Sequence, residues 1–299
     1  MTYPHYPFPS HRLNLGGINL HYLDEGPTAA APILMLHGNP TWSFYFRRLV
    51  LALRDTQRTI VPDHIGMGLS DKPAESSYEY TLARRVTDLE TLIDSLHLQQ
   101  KLTLVLHDWG GMIGMAYATR HPERIARLVV LNTGAFTLPP GKKMPWRLTL
   151  ARSPLLGALL VRGLSAFSKG AVRDCVQQPL PADVAHAYCA PYDSWTHRLA
   201  VHRFIQDIPL APGDRAFDLV AQVEKNLPQF QRLPMLICWG MHDFVFDIHF
   251  LNRWQELFPH AAVHRFPDAN HYVLEDAHAQ IIPLVQQFLA AHPLEGPTV

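Results

Sequence analysis

One acidic residue, Asp108, stands where an apolar run meets a glycine-rich, helix-like stretch. The run 101–106 indicates a buried strand, and Gly110 and Gly111 permit a tight turn before the following helix. This is the pattern of a nucleophile elbow, although Leu106 occupies the position of the first glycine in G-x-S-x-G. A carboxylate replaces the usual serine, so a different chemistry is expected. The alternative interpretation is an ordinary aspartate N-cap.

A base and its orienting acid follow later in the chain. His271 lies in the loop after the last predicted strand, and Asp243 follows the predicted strand 235–239. Along the chain, the order is nucleophile, acid and histidine, as in enzymes whose nucleophile lies at such a strand-to-helix elbow. The chain has 18 histidines, so residue type alone does not identify the base. His271 is chosen because it lies in the loop after the last predicted strand. Asp247 is a rival acid, but it lies further into a predicted helix, and Asp243 is preferred.

Two donors are predicted to face the elbow. Asn39 follows the predicted strand 33–36, and Trp109 comes directly after Asp108. Backbone N–H groups at these two places form the oxyanion hole in enzymes of this architecture, and both side chains carry further donors that can meet an expelled anion. The alternative for Asn39 is a turn residue ahead of Pro40.

Apolar runs alternate with helical patterns, which predicts an α/β fold with a mostly parallel eight-stranded sheet flanked by helices. The first two strands, joined through Gly16 and Gly17, are predicted to form an antiparallel hairpin. No strand is evident in 136–214, which is predicted to be a helical cap domain inserted after strand 6; 1–135 and 215–299 then form the core domain. The predicted strands are 12–15, 18–23, 33–36, 59–62, 102–106, 128–132, 235–239 and 262–266.

Composition narrows the classes of protein. The chain has 299 residues, 47% of them hydrophobic, and a formal net charge of zero, which gives no electrostatic reason to expect nucleic acid or an anionic membrane. Three cysteines without metal-ligand spacing favour a reducing, cytoplasmic setting. Neither a signal peptide nor an apolar run of ~18 residues is evident, so no transmembrane segment is expected. The reactive residues require no metal or organic cofactor.

With these pieces placed, the chain resembles the haloalkane dehalogenase superfamily of α/β-hydrolases over nearly its whole length. The resemblance rests on 37–43, 62–73, the Asp108-Trp109 elbow and the His271 loop. The block 62–73 is shared by many α/β-hydrolases and supports the fold but not a substrate. The resemblance implies that Asp108 attacks carbon to form an ester, that His271 activates water and that Asp243 orients the imidazole. In dehalogenase members the residues matching Asn39 and Trp109 hold the halide.

A finer resemblance points to one branch, the β-lactone decarboxylases of bacterial long-chain olefin biosynthesis, first classed as a third group of haloalkane dehalogenases. Such enzymes convert a cis-β-lactone with two alkyl chains into a cis-alkene and carbon dioxide. Haloalkane hydrolysis to an alcohol and halide through an alkyl-enzyme ester is the alternative. Whether Asp108 attacks the carbonyl or the ring sp3 carbon stays open. The segments that carry this resemblance are 136–140, 144–146, 190–195, 204–210 and 268–276.

Other reactions fit less well. A serine esterase lacks its nucleophile here. An epoxide hydrolase needs cap tyrosines, for which Tyr188 and Tyr192 are available, but such enzymes commonly carry an aromatic residue where this chain has Asn39. Fluoroacetate-type dehalogenases favour a basic residue in place of Trp109. A non-catalytic receptor or scaffold is disfavoured because the whole triad is present.

The cap composition suits a small hydrophobic substrate. A helix over 155–168 is predicted, with an apolar face broken by Arg152, Arg162 and Lys169. This helix is expected to line an acyl tunnel, or to dock on a membrane or on an enzyme of the same pathway; packing on its own core is the alternative. The predicted substrate contacts are Trp42, Phe136, Leu160, Tyr192 and Trp195.

Overall fold

The computed structural model describes residues 3–294 and contains all eight predicted strands. The largest difference lies in β6, which begins at Ile125 and not at 128, and β5 extends to Asp108 itself. The strands are β1 (His11–Asn14), β2 (Asn19–Glu25), β3 (Pro32–Leu36), β4 (Arg58–Pro62), β5 (Leu102–Asp108), β6 (Ile125–Thr133), β7 (Met235–Gly240) and β8 (Ala262–Phe266).

The strands form one sheet in the order β1-β2-β4-β3-β5-β6-β7-β8. β1 pairs with β2 and β2 with β4 in antiparallel fashion, whereas all pairs from β4 through β8 are parallel. The predicted hairpin is confirmed, and the Leu15 N–H donates to the Ile18 carbonyl across its turn at 2.7 Å. The carboxyl ends of β3, β5, β6 and β7 therefore meet at one edge, where an open α/β sheet binds its ligands.

The central strands are apolar along their whole length because both faces of the sheet are covered. Leu34 and Leu36 of β3 pack into one hydrophobic cluster, while Ile33 and Met35 pack into the other. Since side chains alternate across a strand, two buried faces require apolar residues at every position. This is why the strands could be predicted from sequence.

The described part of the chain contains twelve α-helices, some packed on the sheet and others in the segment between β6 and α9. α2, α3 and α9 contribute to one cluster, and α1, α11 and α12 to the other. The helices are α1 (Arg47–Leu53), α2 (Leu82–Ser95), α3 (Trp109–Arg120), α4 (Trp146–Arg152), α5 (Pro154–Ala158), α6 (Ala166–Asp174), α7 (Ala182–Cys189), α8 (Leu199–Gln206), α9 (Phe217–Asn226), α10 (Ile248–Leu257), α11 (Val273–Asp276) and α12 (His278–Ala291).

The chain between β6 and α9 is helical, but the single helix predicted over 155–168 is wrong. α5 continues into a π-helical turn, Leu159–Gly163, and the chain then breaks at Ser165, whose φ of 55° is left-handed. The two helical arms, Pro154–Gly163 and Ala166–Asp174, meet at 68°. An amphipathic pattern reports which positions are apolar and not whether the axis stays straight, so the sequence did not reveal the break.

Between residues 3 and 294 no single helix has the length and apolarity to cross a bilayer. The bent pair Pro154–Gly163 and Ala166–Asp174 meets those criteria only when its two arms are taken together.

Candidate active site

Asp108 ends β5 and directly precedes α3, with φ 51° and ψ −125°. A non-glycine residue with positive φ is strained, and such strain is concentrated at functional sites. The turn brings the carboxylate against Gly38, where the Cβ of any other residue would lie 1.8 Å from Asp108 Oδ1. Only glycine at position 38 lets the loop after β3 approach the carboxylate this closely.

The Asp108 carboxylate is held by backbone donors. The Asn39 N–H donates to Oδ1 at 2.7 Å, and the Trp109 N–H also interacts with the carboxylate. Burial raises the pKa of Asp108 above its usual value, while His271 and the two N–H groups oppose that rise. The two predicted oxyanion-hole donors therefore contact the Asp108 carboxylate, and its Oδ2 lies beside His271.

His271 lies between the two carboxylates that the sequence analysis singled out. Its Nδ1 is 2.8 Å from Asp243 Oδ2, and its Nε2 is 3.5 Å from Asp108 Oδ2. Asp243 is itself oriented, since its Oδ1 accepts the N–H groups of Val245 and Phe246 at 2.7 and 2.9 Å. The structure thus brings together Asp108, Asp243 and His271, which span 163 positions of the sequence.

The rival acid, Asp247, lies elsewhere. Its side chain caps α10 by accepting the His249 N–H at 3.1 Å, and it pairs with Lys142 at 3.0 Å. A carboxylate used as a helix cap and in an ion pair does not orient His271, which agrees with the preference for Asp243.

The neighbouring carboxylates raise the pKa of His271. Burial alone lowers the pKa of a histidine, but the Asp243 carboxylate, its hydrogen bond and the Asp108 carboxylate outweigh burial and raise the pKa of His271 above 6.5. The neighbouring His107 shows the opposite behaviour: burial, with His271 nearby, lowers its pKa well below 6.5. The site therefore combines one basic and one neutral imidazole.

Two residues that position this group had no role in the sequence analysis. His107 Nε2 lies 2.9 Å from the His271 carbonyl, and its ring stacks on Tyr45 at 4.1 Å. Asn132, at the end of β6, donates from Nδ2 to Asp243 Oδ2 at 3.0 Å and accepts the Gly240 N–H at 2.8 Å. For Asn132, a polar side chain at the end of a predicted strand was the available clue in the sequence.

The loop that carries Asn39 is anchored by a buried histidine and aspartate network. His37 Nδ1 lies 2.8 Å from the Gly38 carbonyl, while the His64 N–H donates to His37 Nε2 at 3.2 Å. Asp63 accepts the N–H of Ser43 at 2.6 Å, and its pKa is lowered to about 2, since hydrogen bonding and the charges of His21 and His37 outweigh burial. Part of the shared block 62–73 thus acts by holding the donor loop.

The side chains of the two predicted leaving-group residues differ in what they contact. The Asn39 amide donates to the Val201 carbonyl of α8 at 3.0 Å. The Trp109 ring packs edge-on against Phe204, also of α8, with centroids 5.3 Å apart. Both residues line the cavity above Asp108, so the helical segment after β6 meets the core at these residues.

A cavity of about 370 Å³ ends on Asp108 and His271. This volume lies in the range of small-molecule sites. The wall is mostly apolar, and its core-side and cap-side members include Met112, Phe136, Phe246, Leu148, Leu160, Val161, Phe167 and Ile205. Such a cavity accepts an apolar substrate and presents it to one carboxylate.

The predicted substrate contacts divide into two groups. Phe136 and Leu160 line the cavity, whereas Trp42, Tyr192 and Trp195 do not. Trp42 is a buried anchor whose indole N–H donates to the Ala187 carbonyl of α7 at 3.2 Å. Trp195 is on the surface, 46% exposed. These three predictions were wrong because aromatic residue type alone does not tell which way a side chain points.

The tyrosines needed for epoxide opening are engaged elsewhere. The Tyr188 hydroxyl contacts Glu275, which pairs with Arg47, and the Tyr192 hydroxyl lies 3.3 Å from the Thr41 carbonyl. Neither lines the cavity above Asp108. The geometry therefore disfavours the epoxide hydrolase alternative.

The fold and this elbow define an α/β-hydrolase. The family model described as alpha/beta hydrolase fold matches residues 31–278, so the chain belongs to that family. Over residues 3–294 no group of three or more histidine, cysteine, aspartate or glutamate side chains is arranged to hold a metal ion.

Within the family, the chain is most usefully compared with two decarboxylases. It is 55% identical to the cis-3-alkyl-4-alkyloxetan-2-one decarboxylase of Shewanella oneidensis, over 95% of this chain and 89% of that protein. It is 48% identical to the protein of the same name from Xanthomonas campestris pv. campestris, over 98% of this chain and 100% of that one. The resemblance to the decarboxylase branch that the cap segments suggested is confirmed.

The haloalkane dehalogenases are similar in fold. A mutant of the haloalkane dehalogenase DatA from Agrobacterium tumefaciens is 25% identical, with a TM-score of 0.84, over 94% of this chain and 96% of that one. The predicted α/β-hydrolase fold and the link to this superfamily are thereby confirmed.

Proposed function

We propose that this chain is a cis-β-lactone decarboxylase that releases a cis-alkene and carbon dioxide, with Asp108 as nucleophile. The observation that carries the proposal is an apolar cavity that ends on a carboxylate with one oxygen fixed and the other beside His271. The names of relatives at 55% and 48% identity support the same reaction.

We favour attack by Oδ2 on the ring sp3 carbon that bears oxygen, because the bonds that then break give the products directly. That attack forms a C–O bond to Asp108, breaks the ring C–O bond and leaves the ring oxygen in a free carboxylate. The bond to that carboxylate then breaks, its electron pair forms the alkene, and Asp108 leaves with the electron pair of its C–O bond. Carbon dioxide and the free Asp108 carboxylate result, and the sequence consumes neither water nor a proton.

Attack on the ring carbonyl fits this outcome less well. It would leave the ring oxygen as an alkoxide on a carbon that must become part of the alkene, so that oxygen would still have to be expelled. With Oδ1 held by the Asn39 N–H, an ester formed through Oδ2 already has its carbonyl oxygen at a donor. We therefore favour sp3 attack.

His271 and Asp243 act on the charges of this sequence. Asp243 holds the imidazole, and a protonated His271 balances both the carboxylate released from the ring and the departing Asp108. The N–H groups of Asn39 and Trp109 hold Asp108 in place throughout. In a hydrolytic reaction the neutral form of His271 would instead activate water, as the dehalogenase resemblance implies.

The proposal includes the division of the chain into a core domain, 1–135 with 215–299, and a cap domain, 136–214. The cavity wall supports this division, because the elbow supplies its reactive end and the inserted helices supply much of its apolar wall.

The proposal also places the enzyme in the cytoplasm, with a small hydrophobic substrate. The three cysteines, Cys175, Cys189 and Cys238, are free thiols, which agrees with a reducing compartment.

Haloalkane hydrolysis is the second candidate. It is favoured by the presence of Asn39 and Trp109, the halide-holding residues of the resembling enzymes, on the cavity wall beside Asp108. In that reaction an alkyl ester on Asp108 would be hydrolysed by water activated at His271.

A paired assay tests the two functions. Purified protein is given a cis-β-lactone with long alkyl chains, and alkene is measured by gas chromatography; in parallel it is given 1,2-dibromoethane, and bromide is measured. Fast alkene release with weak bromide release is expected, and the reverse result would overturn the proposal. With ¹⁸O in the lactone ring oxygen, sp3 attack delivers the label to carbon dioxide that is trapped before it exchanges with water, whereas unlabelled carbon dioxide at that point would refute that step.

A further inference from the structure

The outer surface of α4, α5 and the Leu159–Gly163 turn exposes large apolar side chains. Its large apolar side chains are exposed: Leu155 by 88%, Leu159 by 55% and Trp146 by 71%. Leu156, Leu164 and Trp195 are exposed as well, and Trp195 lies beside the Leu159–Gly163 turn. We call these six residues the apolar face. Contiguous exposed apolar surface marks an interaction site.

The segment that carries most of this face is rich in basic residues, of which Arg152 is paired with Asp214 of the neighbouring chain segment. Residues 143–174 contain six lysines and arginines and a single acidic residue, Asp174, although the whole chain has equal numbers of basic and acidic residues. Asp174 pairs with both Arg147 and Arg173 at the end of α6. The zero net charge of the chain therefore conceals a segment with an excess of basic residues.

Aromatic and cationic groups are paired on the same surface. The Arg162 guanidinium lies 4.4 Å from the Trp195 ring centroid, and that of Arg147 lies 5.7 Å from the Trp146 ring centroid. Tryptophan and arginine beside exposed leucines on short helices are the composition of segments that lie in a membrane interface. A protein partner does not require an excess of positive charge, but an anionic lipid surface is attracted by it.

The cavity reaches this same surface. Trp146, Arg147 and Arg173, all exposed, line the cavity that ends on Asp108. In the Leu159–Gly163 turn, Leu160 and Val161 face the cavity while Leu159 is on the apolar face. One helical turn thus separates the cavity from the apolar face.

We propose that the apolar face and its basic surroundings dock on an anionic lipid bilayer, with the cavity mouth turned toward the membrane. The leucines enter the interface, and the lysines and arginines lie at the lipid phosphates. The reason for such docking rests on the proposed function: a lactone with two alkyl chains partitions into lipid, so a mouth at the membrane receives it without passage through water. The docking itself is independent of the reaction.

The test measures binding of the full-length protein to vesicles by co-sedimentation. Vesicles of phosphatidylcholine with phosphatidylglycerol are compared with vesicles of phosphatidylcholine alone, at low and high salt. Binding is expected to the anionic vesicles, to weaken at high salt and to be much smaller without phosphatidylglycerol.

Two pairs of variants locate the docking surface. Leu155→Glu with Leu159→Glu is expected to reduce vesicle binding at least tenfold, whereas Ile248→Glu, at an exposed apolar residue of α10, should not. Lys143→Gln with Lys169→Gln is expected to reduce it roughly tenfold, whereas the matched loss of two exposed lysines in Lys101→Gln with Lys225→Gln should have little effect.

Several results would overturn the proposal. The first is that the wild-type protein does not bind vesicles that contain phosphatidylglycerol. The second is that the leucine variants bind these vesicles as well as the wild type does. The third is that the wild type self-associates but does not bind vesicles, and that the leucine variants no longer self-associate, which would assign the face to a second copy of the chain. Because Leu155 and Leu159 do not line the cavity, the leucine variants should turn over a short substrate in solution at the wild-type rate. This assay shows whether the variants are folded. Vesicle binding without alkene formation would refute only the proposed function.

Discussion

The elbow region and the outer cap helices are built in opposite ways. Around Asp108 and His271, long buried strands end in short turns, and hydrogen bonds fix the side chains; Asp243 accepts three besides its contact with His271. The cap from α4 to α6 consists of helices of seven, five and nine residues, joined by a π-helical turn and a left-handed Ser165. Its apolar side chains divide between the cavity and the solvent.

This difference separates chemistry from substrate choice. Covalent chemistry needs atoms fixed to a fraction of an ångström, which buried strand ends provide. Acceptance of an apolar substrate needs only an apolar wall of suitable size, which short helices provide at low cost in conformational restriction. Changes in the elbow region should therefore affect all substrates, and changes in the cap should distinguish between them.

The largest effect is expected from Asp108→Ala. Loss of the attacking carboxylate should reduce turnover of lactone and haloalkane alike by at least ~1,000-fold. Asp247→Ala, which removes the rival carboxylate without removing a residue that lines the cavity, is the matched control and should retain most activity. Alkene and bromide release measure the effect; substantial alkene release by Asp108→Ala would rule out covalent catalysis.

Lowering the pH should abolish nucleophilic attack by Asp108 in the wild-type protein. Only ionised Asp108 attacks, and burial raises its pKa above 3.8, so kcat/KM should fall as the pH is lowered, with a midpoint above 3.8. Circular dichroism over the same pH range shows whether the fold is retained. A midpoint at or below 3.8 in folded protein would contradict this assignment.

A smaller loss, roughly 100-fold in kcat, is expected from Asp243→Asn. The Asp243 carboxylate raises the pKa of His271, so its removal should lower that pKa as well as misorient the ring. Titration of the His271 resonances by NMR in both proteins measures the shift directly. An unchanged His271 pKa would mean that Asp243 has only a structural role.

In the cap, Leu160→Arg should distinguish substrates. A charged side chain in the apolar wall should reduce turnover of a long-chain lactone about tenfold or more while sparing a short one. Leu156→Arg, in the same segment but at an exposed residue that does not line the cavity, is the control. Equal turnover of short and long substrates by Leu160→Arg and wild type would remove Leu160 from the substrate path.

The last prediction concerns stability and compares substitution by glycine in the two regions. Asn132 and Ser165 both have positive φ, at 37° and 55°. Asn132→Gly removes the bonds to Gly240 and Asp243 and should lower the free energy of unfolding by about 2 kcal/mol. Ser165→Gly should change it by no more than ~0.5 kcal/mol. Urea denaturation measures both, and equal effects would show that the two turns are equally constrained.

Much of the framework could be predicted because its causes are local or follow chain order. A strand buried on both faces must be apolar throughout, which revealed β3, β5 and β7, and glycine beside Asp108 marked the elbow. The positioning roles of His107 and Asn132 could not be predicted in this way. Each depends on a partner more than 100 residues away, as in the contacts of His107 with His271 and of Asn132 with Asp243.

The sequence by itself determined the reactive residue types, their order along the chain and the sheet that holds them, because strand periodicity and turn chemistry are properties of neighbouring residues. Only the tertiary structure decided where the cap side chains face. Leu159 and Leu160 are the same residue type, yet one is exposed and the other lines the cavity. Trp42 is buried while Trp195 is exposed, since direction is set by packing against distant elements and not by residue type.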